Sequence, residues 1–91
     1  MALTKEAVVD KIEVLELGQV QVRTATRVLE DGVELSSSFH RHFLEPSIKI
    51  DGSWADTDIS GEDARVQAIC NATWTAEVKT AYQDMIDANE L

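Results

Sequence analysis

From Gln19 to Glu30 the chain alternates with a period of two. Val20, Val22, Thr24, Thr26 and Val28 fall on one side, and Gln19, Gln21, Arg23, Ala25 and Arg27 on the other. Alternation rich in β-branched residues predicts a strand with one buried face. Asp31-Gly32 follows, and a two-residue type I′ turn needs positive φ at both of its central positions, which this pair tolerates. With those two residues as the loop, Glu30 opposes Val33, Val28 opposes Leu35, Thr24 opposes Phe39, Val22 opposes Arg41 and Val20 opposes Phe43. Apolar face then meets apolar face, with Arg41 the exception between Phe39 and Phe43. A strand over Val8 to Glu16 precedes them and returns through a three-residue loop, Leu17 to Gln19, with Gly18 in a bulge. That loop sets Val14 beside Val22, Ile12 beside Thr24 and Glu13 beside Arg23. The prediction is a three-stranded antiparallel meander of order 1-2-3 over about residues 8–45.

Pro46 cannot donate to a ladder and ends the third strand. Residues 46–60 read as a connector, in which Ser47 to Ile50 could add a short fourth strand before Asp51-Gly52. Trp54 lies in a polar stretch, where a tryptophan is expected to plug the edge of a core. Period 3.6 takes over near residue 60. Ser60 with Asp63 approximates a capping box, and Val66, Ile69, Cys70 and Thr73 share one helical face. Thr75 reads as a second N-cap with Glu77 in the first turn, ahead of Val78, Ala81, Tyr82, Met85 and Ile86. Helices are expected over about 61–73 and 76–88, their apolar stripes covering the apolar face of the sheet. Strands first and helices last is the α+β order, in a single domain spanning 1–91.

Size sharpens this picture. A chain of 91 residues buries only about 60–65% of the surface its unfolded form exposes. Cys70 is the only cysteine, which excludes an internal disulfide and a cysteine-rich zinc knuckle. Self-association is the remaining way to cover apolar surface, so a homo-oligomer is expected. The net charge is −9, and the second half, residues 51–91, holds 9 carboxylates against 2 cations. Such a surface repels phosphate backbones and argues against nucleic acid as a partner. No basic, apolar leader and no run near the ~20 apolar residues of a membrane span is visible, so a soluble protein without a signal peptide is expected.

His40-Arg41-His42 is the one chemically suggestive cluster. Alternate residues of a strand share a face, so His40 and His42 could approach one metal ion. They are the only histidines, and a third ligand would have to be a carboxylate. The register above places them on the polar outer face beside Gln21 and Arg23, where exposed side chains are the simpler reading. Arg41 either snorkels from the apolar face or pairs with a helix carboxylate such as Asp63 or Asp84. Cys70 reads as a buried small hydrophobe. No phosphate-binding glycine loop and no acid/base pair is recognisable, so neither catalysis nor a cofactor is expected. Gln21, Arg23, His40, Arg41 and His42 form the candidate interaction surface.

The segments VVDKIEVLELGQVQVRTATRVLEDG, FHRH and SGEDARVQAICNATWTAEV together resemble a family of small uncharacterised proteins of tailed bacteriophages, especially marine ones. The similarity spans roughly residues 2–86, and the connector at 46–59 is longer than the family's usual version. The resemblance implies a virion-associated or assembly protein, located in the virion or the host cytoplasm. Its partners would be copies of itself and other phage structural proteins. The alternative is a phage-encoded protein that binds a host protein through its acidic surface. The family implies no catalytic residues.

Overall fold

A computed structural model describes residues 2–90. Three long strands, β1 (Leu3–Val14), β2 (Val20–Glu30) and β3 (Val33–Leu44), form an antiparallel sheet in the order β1-β2-β3. A separate two-stranded sheet pairs β4 (Ser47–Ile50) with β5 (Ser53–Asp56), and two helices follow, α1 (Ala64–Thr73) and α2 (Ala76–Ala88). The α+β class and the meander order are those the alternation predicts. Asp31 and Gly32 have φ of 51° and 84°, as the hairpin requires. Asp51 and Gly52 repeat that geometry at 50° and 82°. The second turn folds the expected connector into a hairpin, with a fifth strand that four residues were too short to announce.

Both registers differ from those expected, and each difference has a cause. In the first hairpin Leu15 N–H donates to Gln19 O (2.8 Å) and Gly18 N–H to Leu15 O (3.0 Å). The three-residue loop is therefore Glu16 to Gly18, one residue earlier than expected. A type I turn closed by a left-handed residue needs glycine last in the loop, and Gly18 has φ of 91°. Val14 then opposes Val20, Ile12 opposes Val22 and Glu13 opposes Gln21. The ladder steps again at Asp10, between Val9 and Lys11, and β1 runs out to Leu3 rather than starting at Val8.

In the second hairpin Glu30 opposes Val33 as expected, but a bulge at Leu35 makes Val28 oppose Ser36. Thr24 thereby meets His40, Val22 meets His42 and Val20 meets Leu44. Every side chain from Ser36 onward lies on the face opposite to the expected one. Arg41 explains the choice. An unbroken ladder would set its guanidinium against Val22 on the face that the helix covers, and desolvating a full charge costs on the order of several kcal/mol. The bulge exposes Phe39 (52%) and Phe43 (49%) instead, which forfeits about 1 kcal/mol apiece. The smaller loss wins.

One end of the meander carries the core: Val20, Val22, Val66, Cys70 and Trp74, with Val9, Ile12, Leu44, Ile59 and Val78 packed around them. Asp63, not Ser60, caps α1, accepting from Arg65 N–H (2.8 Å), so the helix starts at Ala64. Thr75 caps α2 as predicted, accepting from Val78 N–H. Trp74 Nε1–H donates to Gly18 O (2.7 Å) and ties the helix junction to the first hairpin loop. The second helix differs from expectation, since it serves mainly the small hairpin. Lys49 bridges to Asp87 and Glu90, Lys79 to Asp56, and Gln83 bonds Ser47. Trp54 meets the edge of Tyr82 (centroids 6.3 Å apart) and donates to Asp87, fastening the hairpin to α2.

The other end of the meander has no helix over it. The molecule measures 58 × 26 × 23 Å with a radius of gyration of 17.1 Å, against about 12 Å for a compact chain of this length. That excess is a three-stranded arm, exposed on both faces and along both edges.

Candidate interaction surface

On the sheet face away from the helices, side chains line up in rungs across the three strands. One rung is Lys11, Arg23 and Arg41, and its neighbours are Glu13, Gln21, Phe43 and, toward the tip, Val8, Ala25, Phe39. Three cations abreast would repel one another unless compensated. Two are compensated. Lys11 reaches Glu13 at 2.7 Å, and Arg23 makes a forked pair with the bulged Asp10 (Nε–Oδ1 2.9 Å, NH2–Oδ2 2.8 Å). Arg23 also lies over the Phe39 ring, 4.4 Å from its centroid. The Arg23 guanidinium holds the Asp10 carboxyl below its ordinary value, and Lys11 does the same for Glu13. Further out, Arg27 bridges Glu6 (3.3 Å) and Glu34 (3.4 Å), stitching all three strands together.

Arg41 is the exception. It is exposed and has no ion-pair partner among the described residues. Neither Asp63 nor Asp84 approaches it, and it does not snorkel from an apolar interior. Instead it stands between Phe39 and Phe43 on open sheet, an arginine flanked by two aromatics. Residues of these types carry much of the affinity at protein interfaces.

The candidate residues named from sequence therefore divide. Gln21, Arg23 and Arg41 share the open face, as the alternation of β2 implied for the first two. His40 and His42 lie on the opposite, helix side, and their rings stack with centroids 6.4 Å apart. His42 Nε2–H donates to Glu62 Oε1 at 2.6 Å, which pins the loop ahead of α1 to β3. No group of three metal-ligating side chains occurs among the described residues. His42 is engaged as a structural latch, while His40 is exposed. Cys70 is fully buried, and burial pushes its thiol up, followed by the Glu62 charge. A thiol in that state is a poor nucleophile.

No protein-family model matches the chain, and neither a curated protein nor a solved structure is significantly similar to it.

Phe39, Phe43 and Lys11 complete the open face and were not among the residues singled out from sequence. A bulge of one residue in β3 decides the placement of Phe39 and Phe43. The available signal was negative: the unbroken register buries a charged arginine.

Proposed function

We propose that this protein works by self-association, as an assembly component whose three-stranded arm makes the contacts between copies, without catalysis. The observation that carries the reading is the arm. It projects from the small core with neither outer edge paired to a further strand among the described residues, although Arg65 donates to the Val9 carbonyl of β1, and its open face presents Phe39, Arg41 and Phe43. Unpaired strand edges recruit further strands, and large apolar groups left half exposed on a small domain are best covered by another chain. The resemblance of the three quoted segments adds the setting, the particle of a tailed bacteriophage.

Light scattering behind size-exclusion chromatography tests the reading. A discrete oligomer is expected, and a monomer persisting at high micromolar concentration would remove the basis for it. Mass spectrometry of purified particles tests the setting separately, since a virion component must be recovered with the particle. A basic host protein captured at one-to-one stoichiometry by a monomer would instead favour binding through the acidic helical half.

A further inference from the structure

The two free edges of the arm are not equivalent. The β1 edge carries Lys5, Glu6, Asp10, Lys11 and Glu13 and is broken by the bulge at Asp10. Frequent charges and a bulge are the features by which proteins discourage strand addition. The β3 edge has its bulge at Leu35, near the tip, and from Ser36 to Leu44 it runs regularly as SSSFHRHFL. That stretch contains one formal charge, Arg41, no carboxylate, no lysine and no proline. At ~3.4 Å per residue it offers about 30 Å of regular ladder, exposed from Ser36 to Arg41 and half-buried at His42 and Leu44.

We infer that β3 is the contact strand and that its occupant is the β3 strand of a second copy, paired antiparallel about a two-fold axis perpendicular to the sheet. Charge selects a second copy. A protein of net charge −9 meets itself at least cost where carboxylates are fewest, and Ser36 to Leu44 carries none of its own on a free edge, the nearby Glu62 being engaged by His42. A two-fold axis of this kind keeps each face continuous across the junction, so the two open faces merge into one six-stranded surface. It also allows only registers in which one residue opposes its own copy. Centred on His40, the pairing sets Arg41 of each copy opposite Phe39 of the other and opposes no like formal charges. The unpaired guanidinium then gains a further aromatic neighbour across the junction, an attraction that partial desolvation strengthens. The junction also covers part of Phe39 and Phe43 laterally. A closed two-fold pairing ends at two copies, whereas joining β3 to β1 would propagate.

This rests on the self-association proposed above, and the test separates the two. Single cysteines are placed in turn at each position from Ser36 to Leu44, and at Thr4 and Ala7 on β1, then mildly oxidised while the mass is followed by light scattering. Cys70 is buried and the unmodified chain reports its background. The expected result is a dimer whose disulfide yield peaks at one β3 position, at least tenfold above Thr4→Cys and Ala7→Cys. A dimer that cross-links through β1, or that shows no β3 maximum, overturns the choice of edge and leaves self-association standing. A monomer throughout overturns both.

Discussion

At Gly18 the backbone has φ of 91°, and a Cβ added there would lie 2.5 Å from Val78 Cγ1 and 3.2 Å from Pro46 Cγ. Two penalties coincide, a left-handed conformation that L-residues resist by roughly 1–2 kcal/mol and a collision with the packed side chain of α2. The same residue's carbonyl receives the buried Trp74 N–H, so the loop cannot move away without breaking that bond. Gly18→Ala should therefore destabilise the fold by about 2–4 kcal/mol, read as a lower urea midpoint with an unchanged slope. A loss below ~0.5 kcal/mol would mean that the loop relaxes and that the Trp74 anchor is weaker than its geometry implies. The need for a turn glycine was legible in the chain itself. The crowding was not, because Val78 and Pro46 lie tens of residues away.

Among elements, β2 was legible from its alternation, and so were the Asp31-Gly32 turn and the Thr75 cap, because their signals are local. The faces of β3 were not. Whether Arg41 or His42 meets the helix layer depends on a comparison of desolvation costs that only the tertiary packing poses. The His42 imidazole meets Glu62 there, whereas a guanidinium in its place would have to be desolvated with its full charge. Arg41 and the two histidines have consequently exchanged sides, so that Arg41 joins Gln21 and Arg23 while His40 and His42 face the helix layer. Deleting Leu35 tests this account of the bulge. The remaining residues form an uninterrupted ladder, with Glu34 opposite Leu29 and Ser36 opposite Val28, and every face from Ser36 onward is kept. Stability should change by no more than about 1 kcal/mol, and the His42 imidazole signals in NMR should stay close to their positions in the parent protein. A large displacement of those signals would show that Leu35 does more than absorb one residue of register.

For the whole molecule, charge and shape act in opposite senses. Residues 51–91 account for most of the −9, with 9 carboxylates against 2 cations, and they form the small hairpin and helices at the core end of a 58 Å long body. The arm's β3 edge is nearly neutral over its last nine residues. Two copies joined there hold their acidic bodies apart along the sheet, yet still carry a doubled net charge. The Debye length shrinks from ~30 Å at about 0.01 M salt to ~8 Å at about 0.15 M, so added salt removes repulsion between the bodies. It removes little attraction, because a ladder of backbone hydrogen bonds with apolar and cation–π contacts has few exposed opposite charges to screen. Dimerisation should therefore tighten severalfold between about 0.01 and 0.15 M sodium chloride, measured as a falling dissociation constant in sedimentation equilibrium. Weakening over the same range would identify an interface held by ion pairs, and would move the contact from the β3 edge to the charged surfaces.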